Sequence, residues 1–308
     1  MQARDRSLLA DLSVFVRIVH HRSMKQAAIE LGVTTSALSH RMRKLEADLG
    51  VRLLNRTSRS LAPTDAGAAL AESLSQGFST IEDALGALSR GRGLPAGHLR
   101  LNMLRDAARL LLAPVLARYT GAFPDMHLDL HADDGITDVV AGGFDAGIRY
   151  GDRVPRDMVG VALTPPTRWI VVATADLIAR VGEPRTPEDL TRLPCVEIKL
   201  GDGSGYPWEL GNGATMLRVP VRGPLRANGT DQIVQAASQG VGFAYVLEQA
   251  VRADVAAGRL RPVLVDWASE GPPFTIYYPS RRRSPPGLRE LVNLIRQDQG
   301  LAPLAGQR

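Results

Sequence analysis

The sequence contains a single cysteine, Cys195, so it cannot form an internal disulfide, and this is typical of a reducing compartment. It also lacks any apolar run close to the ~20 residues that a membrane-spanning helix needs. The N-terminal stretch MQARDRSLLADLS carries charges but neither a long apolar segment nor a small-residue cleavage site, which argues against a signal peptide. These absences predict a cytoplasmic protein.

Recognisable catalytic and metal-binding patterns are absent as well. The six histidines show no metal-ligand spacing, and the lone cysteine offers them no partner. There is no G-x-S-x-G elbow and no phosphate loop of the G-x-x-x-x-G-K-[ST] type. The glycine-rich stretch GDGSGYP, Gly201 to Pro207, is not followed by a predicted helix and is only a weak nucleotide signal. We therefore predict no enzymatic activity, no metal site and no cofactor.

The positive charge of the chain is concentrated at its beginning. The 308 residues are 44% hydrophobic and 22% charged, as expected for a soluble protein with more than one domain. Residues 1–65 contain eleven Lys and Arg against six Asp and Glu. The whole chain has 37 Lys and Arg and 32 Asp and Glu, so residues 66–308 contain 26 basic and 26 acidic residues. This asymmetry predicts a polyanion-binding N-terminal domain on an electrically balanced body.

Apolar residues recur at helical spacing three times before residue 50. The first stripe consists of Leu8, Leu12, Phe15, Val16 and Val19. Ser23 is placed to cap a short second helix that ends at Gly32, and Thr34 is placed to cap a third helix that ends at Gly50. The apolar side of the third helix consists of Leu38, Met42, Leu45 and Leu49. Two short helices joined by a glycine-containing turn predict a helix-turn-helix.

The third helix carries an unusual set of polar residues away from its leucine stripe. The second helix of a helix-turn-helix enters the major groove of DNA with its N-terminal residues facing base edges. Hydroxyl, imidazole and guanidinium groups can bond to bases and phosphates there. The predicted DNA-contacting residues of this helix are Thr34, Thr35, Ser36, Ser39, His40 and Arg43. Spacing alone leaves a solvated surface as the alternative, although Lys and Glu would suit that role better.

A basic segment follows the third helix. The stretch VRLLNRTSRSLAPT, residues 51–64, contains Arg52, Arg56 and Arg59 and no acidic residue. Its partial alternation predicts a short hairpin, or wing, and the alternative is an ordinary basic loop. Beside a helix-turn-helix, Arg56 and Arg59 are predicted to contact phosphates.

These residues carry a resemblance to a known family. The stretch MKQAAIELGVTTSALSHRMRKLEADLGVRLLNRTSRSLAPTDAG resembles the winged helix-turn-helix of LysR-type transcriptional regulators, and the match runs from about residue 9 to 67. It includes A-A-x-x-L-G-V, S-x-x-x-x-x-L-E, L-G-V-x-L-x-x-R and P-T-x-A-G. One departure is Thr35-Ser36, where many members carry Gln-Pro.

Residues 65–90 contain no proline and predict one long helix. Its apolar residues advance by four, three, four and three positions, which is the pattern of a helix-pairing seam, and packing onto the body of the same chain is the alternative. The seam consists of Leu74, Phe78, Ile81, Leu85 and Leu88. The resemblance implies a linker helix that pairs between two subunits, so a homodimer or homotetramer on an inverted-repeat operator is expected.

The C-terminal body alternates strands and helices, with a helix predicted over residues 110–123 and a short helix over 136–143. This alternation predicts an α/β domain with a largely parallel sheet. The resemblance continues there and implies the two-lobed fold of type 2 periplasmic solute-binding proteins. The whole chain is thus predicted to be multidomain, with a mainly-α N-terminal domain. The predicted bounds are 1–64 for the DNA-binding domain, 65–90 for the linker helix, 91–96 for a hinge and 97–300 for the effector domain, with lobe I at 97–168 and 270–300 and lobe II at 169–269.

Effector-binding residues are predicted where strands of such a sheet end, because ligands bind beyond the carboxyl ends of the strands. The predicted set is Arg105, Asp106, Ala107, Arg149, Lys199, Asn228, Thr230 and Tyr245. Arg149 could clamp a carboxylate or form a structural salt bridge, Lys199 could simply be solvated, and Tyr245 could face the cleft or the core. An anionic effector would suit the arginines and the backbone N–H groups of the helix that follows Arg105.

The sequence thus predicts a LysR-type regulator that binds specific DNA sequences under the control of a small-molecule effector. Two alternatives are an effector-independent DNA-binding regulator and a small-solute-binding protein. The missing signal peptide and the basic N-terminal domain argue against the latter, and the predicted cleft residues argue against the former. Effector identity, target genes, operator sequence, and activation versus repression are not readable from the sequence.

Overall fold

The computed structural model describes residues 3–21, 23–56, 61–89, 94–135, 138–140, 142–201, 203–279 and 284–304. Within these residues the chain forms a small N-terminal domain, one long helix and two α/β lobes, in that order. None of the described helices is both long and apolar enough to cross a membrane.

The N-terminal domain consists of three helices and a two-stranded antiparallel sheet. Its elements are α1 (Ala3–His21), α2 (Met24–Glu30), α3 (Thr35–Leu49), β1 (Leu54–Arg56) and β2 (Leu61–Pro63). The predicted helix ends are confirmed, since the hydroxyls of Ser23 and Thr34 cap α2 and α3, and Gly50 ends α3 in the left-handed conformation that favours glycine. The β1–β2 hairpin forms the predicted wing, and its tip, residues 57–60, lies outside the described residues.

The three helices enclose one hydrophobic core. Leu38, Met42 and Leu45 of α3 are buried, as the spacing predicted, and they share a core with Phe15 of the predicted α1 stripe. Ile18 of α1, which that stripe did not include, is also buried there. The prediction that Leu49 shares this apolar side was wrong, because its side chain is 39% exposed at the last residue of α3. The core therefore fixes α3 through its middle turns and leaves both of its ends accessible.

The long helix α4 covers Asp65–Ser89. Leu74 packs against the N-terminal core, Phe78 is half-buried, and Ile81 is 53% exposed. The side chains of Leu85 and Leu88, and residues 91–93 of the predicted hinge, lie outside what the structure describes. The apolar seam thus starts inside the domain and continues onto open surface.

The first lobe is a five-stranded sheet with helices packed against it. Its elements are β3 (Gly97–Met103), α5 (Arg105–Ala107), α6 (Leu116–Ala122), β4 (Met126–Ala132), β5 (Ala146–Tyr150), β6 (Met158–Ala162), β16 (Phe274–Pro279) and α10 (Leu288–Asp298). The strand order is β4-β3-β5-β16-β6, with β4, β3 and β5 parallel and β16 antiparallel to both of its neighbours.

The helix predicted over residues 110–123 is broken in the structure. A π-helical turn occupies Ala108–Leu112, and α6 begins only at Leu116. Pro114 lies between them, and proline lacks the amide hydrogen that a continuous helix would need there. The short helix predicted over 136–143 is also absent from its described residues, of which 138–140 form a turn, while 136, 137 and 141 lie outside the description.

The second lobe is built around the central strand β7 (Thr167–Ala173). Its other strands are β8 (Val196–Lys199), β9 (Gly205–Tyr206), β10 (Trp208–Leu210), β11 (Leu217–Val219), β12 (Leu225–Ala227), β13 (Ala244–Leu247), β14 (Arg261–Val263) and β15 (Ser269–Gly271). Its α-helices are α7 (Ala175–Val181), α8 (Thr230–Ser238) and α9 (Glu248–Ala256). Because β13, β14 and β15 all pair antiparallel with β7, the prediction of a largely parallel sheet was wrong for this lobe.

Candidate nucleic-acid interface and effector junction

The polar residues predicted to read DNA lie on the accessible side of α3. Thr35, Ser36, His40 and Arg43 are exposed, and Ser39 is half-buried. The Thr34 hydroxyl accepts the Ala37 amide at 3.2 Å and lies 3.0 Å from the Ser36 hydroxyl. The N-terminal turn of α3 is therefore held in place by its own hydroxyl groups while its outer surface stays open.

An ion pair helps to fix α3 on the first helix. The Arg41 Nε donates to the Asp11 carboxylate at 2.7 Å, and that carboxylate is 13% exposed. Arg41 therefore serves the fold, whereas the neighbouring Arg43 is exposed, and within the described part of the chain its hydrogen bond is to the Ser39 carbonyl, at 3.3 Å. Among the described side chains of α3, Arg43 is the guanidinium available to a ligand.

The wing is attached to α3 by a carboxylate that the sequence reasoning did not assign. Glu46 Oε1 accepts the backbone N–H groups of Leu53 at 2.9 Å and Leu54 at 3.0 Å. These amides start the hairpin, so Glu46 sets the position of β1 relative to the recognition helix. The Leu-Glu pair of the S-x-x-x-x-x-L-E motif was the available signal for this contact.

The base of the wing is joined to α4 by a close backbone approach. The Thr64 hydroxyl donates to the Arg52 carbonyl at 2.8 Å and accepts the Gly67 amide at 3.0 Å. A Cβ on Gly67 would lie 2.0 Å from the Leu53 carbonyl oxygen, a distance at which the backbone would have to move. The glycine of the P-T-x-A-G motif thus allows the long helix to start directly against the wing.

The positions predicted for the phosphate-contacting arginines are only partly described. Arg56 is the last residue of β1, but its side chain is not described, and Arg59 lies outside the described residues. Their roles stay predictions.

Two of the predicted effector residues meet across the lobes. Thr230, the first residue of α8 in lobe II, donates its hydroxyl to the Asp106 carboxylate of lobe I at 2.7 Å. Arg109 strengthens this junction, because it bonds to Asp106 at 3.1 Å within lobe I and to Asp231 at 3.2 Å in lobe II. Neither Arg109 nor Asp231 was predicted as a site residue, since their contact depends on packing between distant segments.

Arg105 precedes Asp106 in the chain and is paired within its own lobe. Its backbone N–H donates to Asp134 at 3.0 Å, and its guanidinium lies 3.4 Å from the other oxygen of that carboxylate. The N–H group that was predicted to serve an anionic ligand therefore already holds a carboxylate of the chain.

Arg149 lies inside lobe I. It is 7% exposed, and it donates to the carbonyls of Ile148 at 2.8 Å and Gly135 at 3.3 Å and to the side chain of Asn102. Burial lowers the pKa of this guanidinium. The two roles predicted for Arg149 were a ligand clamp and a structural salt bridge. Its contacts resemble the structural role, except that its partners are carbonyl and amide groups and not a carboxylate.

The other predicted effector residues are dispersed. Ala107 is fully buried in the core of lobe I, whereas Lys199 and Asn228 are exposed on lobe II. Tyr245 is 4% exposed, and its hydroxyl donates to the Glu209 carbonyl at 2.7 Å and lies against the Ser269 hydroxyl. Of the two positions open to Tyr245, the structure places it in the core.

A column of aromatic rings crosses from one lobe to the other beneath this junction. Phe274 and Tyr150 of lobe I stack at 4.7 Å, Tyr150 lies 6.4 Å from Trp169 of lobe II, and Trp169 stacks on Tyr245 at 5.2 Å. Burial raises the pKa of Tyr150, and the nearby carboxylates of Asp106 and Asp134 raise it further. The phenol is therefore neutral and adjoins the acidic side of the junction.

Two further observations bear on ligand sites. A groove of about 390 Å³ lies between α6 and α10 and contains none of the predicted effector residues; it is lined by Ala122, Phe123, Glu290, Asn293, Leu294, Gln297 and Pro303. Among the described residues no group of His, Cys, Asp and Glu side chains is arranged to hold a metal ion.

Comparison with known families identifies both parts of the chain. Residues 9–68 match the family model "Bacterial regulatory helix-turn-helix protein, lysR family", and residues 92–300 match the model "LysR substrate binding domain". The two matches divide the chain near the end of α4.

Similar proteins extend over nearly the full length. The chain is 36% identical to an uncharacterised HTH-type transcriptional regulator YcaN of Escherichia coli, over 94% of this chain and 95% of that protein. It is 33% identical to the HTH-type transcriptional regulator PgrR of the same organism, over 91% and 94%. Its structure is similar to that of CrgA, a LysR-type transcriptional regulator from Neisseria meningitidis, with a TM-score of 0.61, 26% identity, and coverage of 94% of this chain and 98% of CrgA.

Proposed function

The chain belongs to the LysR family of bacterial transcriptional regulators, and we propose that α3 and the wing read an inverted-repeat operator while the lobe junction receives the effector. Membership makes it a DNA-binding transcriptional regulator with a two-lobed effector domain that modulates DNA binding. The proposal concerns which residues carry out these tasks and how the subunits are arranged.

The accessible side of α3 is the observation that carries the DNA-binding proposal. Its leucine stripe is buried, while Thr35, Ser36, His40 and Arg43 present hydroxyl, imidazole and guanidinium groups to solvent. Short hydroxyl side chains allow a helix to approach base edges closely, and Arg43 can donate two bonds to a guanine. We assign base reading to this set together with Thr34 and Ser39, and phosphate contacts to Arg56 and Arg59.

The α4 seam supports assembly into a homodimer or a homotetramer. Ile81 is 53% exposed on a helix whose preceding seam residue, Phe78, is half-buried. A second α4 packed antiparallel against this seam would cover Ile81 and place two recognition helices around a two-fold axis. Two-fold symmetry of the protein requires two-fold symmetry of the operator.

Selection of bound fragments from genomic DNA, followed by footprinting with the full-length protein, tests this assignment. We expect a protected site with two inverted half-sites about one or more helical turns apart. Affinity should fall steeply with salt, and Arg56→Ala should lower the slope of log K against log salt by about one. Protection of a single asymmetric half-site, or a flat salt response, would count against the dimer and phosphate assignments respectively.

The effector proposal rests on the junction between the lobes. Asp106 and Thr230 lie there, and Arg105 and Asn228 are close to them in sequence, so a small anionic molecule would bind where lobe I meets the start of α8. Arg149, Ala107 and Tyr245 are buried and would then act through their packing inside the lobes, while Lys199, which is exposed, stays a predicted effector contact. Thermal-shift screening with small carboxylates and aromatic compounds is the experiment, because a ligand that binds the folded state raises its melting temperature. The absence of any stabilising compound across a broad panel would favour an effector-independent regulator.

We place the protein in the cytoplasm and assign it no enzymatic activity. Its single cysteine is buried, and burial raises the pKa of that thiol to about 12, so it is not poised to act as a nucleophile. Purified protein should therefore leave the compounds that stabilise it chemically unchanged, and turnover of any of them would contradict this assignment.

A further inference from the structure

The two lobes are tied together by a carboxylate that belongs to the chain itself. Asp106 in lobe I accepts the Thr230 hydroxyl of lobe II at 2.7 Å and the Arg109 guanidinium at 3.1 Å. The Asp106 side chain is 15% exposed, whereas Asp231, the second partner of Arg109, is 71% exposed. Asp106 is therefore largely buried at this junction, whereas Asp231 lies at its solvent-exposed edge.

The position of Asp106 is one that a small anion would be expected to occupy. Thr230 is the first residue of α8, whose N-cap is Gly229 and has no side chain to accept the free N–H groups of the first turn. A hydroxyl donor, an arginine and a helix start together form a donor set suited to a carboxylate. In this structure the carboxylate is supplied by residue 106.

The neighbouring arginines also have partners within the protein. The Arg105 backbone N–H and guanidinium are both directed at Asp134, at 3.0 and 3.4 Å. Arg149, the other arginine predicted for this region, is satisfied by carbonyl and amide groups inside lobe I. An external anion at the start of α8 would therefore compete with a carboxylate of the protein for Thr230 and Arg109.

We propose that Asp106 is a built-in ligand, which closes the lobes without an effector and which an anionic effector must displace from Thr230 and Arg109. This inference rests on the proposed function, because it concerns regulation of the same junction. An intramolecular carboxylate is present at a high effective concentration, so it lowers the apparent affinity for an external competitor. Displacement would exchange one carboxylate for another at α8 and release the α5 turn that carries Asp106.

Removal and external replacement of the carboxylate form the direct test. We expect Asp106→Ala to lower the melting temperature of the full-length protein by roughly 3–8 °C, as loss of a charge-assisted contact does in a domain of this size. Sodium acetate or formate should then raise the melting temperature saturably, relative to sodium chloride at the same ionic strength. The unsubstituted protein should show a much smaller acetate response, because its site is already filled.

Asp134→Ala is the matched control. It removes another aspartate from the same edge of lobe I, but its partner Arg105 lies in the same lobe and the Asp134 side chain is 40% exposed. We expect no acetate-specific stabilisation of this variant. Equal rescue of the Asp106→Ala and Asp134→Ala variants would indicate general anion binding to the arginines and would overturn the proposal.

A double-mutant cycle keeps the test decisive if the acetate response is small. Thr230→Val removes the hydroxyl donor with little change of shape, and it should lower the melting temperature of the protein that contains Asp106. In the Asp106→Ala background the same substitution should have almost no effect, because its partner is gone. Additive shifts would contradict a bond between the lobes. If Asp106→Ala does not fold, Asp106→Asn takes its place in the cycle. Asparagine keeps an acceptor but no charge, so the effect of Thr230→Val should shrink without disappearing, and an unchanged effect would contradict a charge-assisted bond.

Operator binding measured on the same preparations separates the two proposals. If the Asp106→Ala variant still binds the operator, and acetate and chloride change its melting temperature equally, the proposal that Asp106 is a built-in ligand is overturned and the proposed DNA contacts stand. Acetate rescue in a protein that binds no operator would leave the ligand inference standing and overturn the proposed DNA contacts.

Discussion

The imidazole of His20 lies 2.7 Å from the guanidinium of Arg100, and this hydrogen bond joins the first helix of the DNA-binding domain to the first strand of the body. Arg100 also donates to Asp129 at 2.9 Å and to the Gly143 carbonyl at 3.1 Å. Since an arginine can only donate, the facing nitrogen of His20 must be unprotonated. Strand β3 carries this contact at Arg100, and Asp106 follows its far end, so a single element connects the DNA-binding domain with the lobe junction.

We expect His20→Ala to loosen the DNA-binding domain from the body. The substitution removes the acceptor for Arg100 and part of the surface against which residue 143 lies. Amide hydrogen exchange at the end of α1 and at residues 142–145 should become roughly tenfold faster, the effect of losing one charge-assisted bond. His127→Ala is the control, because His127 is exposed on β4 and its only ring contact in the described structure is with His98. Unchanged exchange in the His20→Ala variant would show that the contact does not hold the domains together.

The same contact should respond to pH. The pKa of His20 is lowered from 6.5 to about 4, mainly by burial and next by the charge of Arg100; His21 and Arg17 act in the same direction, and Glu30 opposes them. When the contact opens, the imidazole returns towards 6.5 and binds a proton more readily. The open state therefore binds more protons between these two pKa values. The contact is fully stable above about pH 6.5 and weakens progressively as the pH falls towards 4.

The stability of the His20–Arg100 contact can be followed by amide hydrogen exchange at residues 142–145. The rates are measured from pH 7.5 to 5 and corrected for their intrinsic pH dependence. His20→Gln is the matched variant, since glutamine keeps an acceptor for Arg100 but does not titrate. Its profile should be flat where that of the unsubstituted protein rises. Parallel profiles would assign the pH response to another group.

Gly67→Ala should disrupt the wing, whereas Gly77→Ala on the same helix should not. A Cβ at residue 67 would lie 2.0 Å from the Leu53 carbonyl oxygen, while nothing lies within 4 Å of one at residue 77. Replacing an exposed helical glycine by alanine stabilises a helix by roughly 0.5–1 kcal/mol. Calorimetry should therefore show a lower melting temperature for the N-terminal domain in the first variant and an equal or higher one in the second. Equal stability of the two variants would mean that α4 can move away from the wing without penalty.

The parts predicted correctly from the sequence are those in which local chemistry decides the structure. The caps at Ser23 and Thr34, the left-handed end at Gly50 and the buried stripe of α3 all depend on residues within one or two helical turns. The helix predicted over 110–123 is interrupted at Pro114. Proline disfavours a helix interior, but the prediction gave more weight to the surrounding leucines, which favour one.

The contacts that complete the candidate site depend on distant segments. Asp106 and Thr230 are 124 positions apart, and no periodic pattern relates them. Arg149 illustrates a second limit, because the end of a strand can be predicted without knowing which face of the sheet the side chain joins. The antiparallel strands around β7 illustrate a third limit, since a sequence that alternates strands and helices is compatible with more than one way of pairing the strands.

The assignment of α3 as the DNA reader leads to a prediction about two of its residues. Arg43 is exposed, and its Nε donates to the Ser39 carbonyl one helical turn earlier, so the two residues lie on the same side of α3. Ser39→Ala combined with Arg43→Ala should lower operator affinity at least tenfold, because one bidentate arginine contact to a base contributes about 1–3 kcal/mol. Binding to unrelated DNA should fall much less, since it depends on phosphate contacts. Arg259→Ala is the charge-matched control, because Arg259 is ion-paired with Asp254 on lobe II. Fluorescence anisotropy on operator and scrambled duplexes separates the two affinities. Unchanged discrimination between the duplexes, in a double variant that still folds, would assign base reading to another part of the domain.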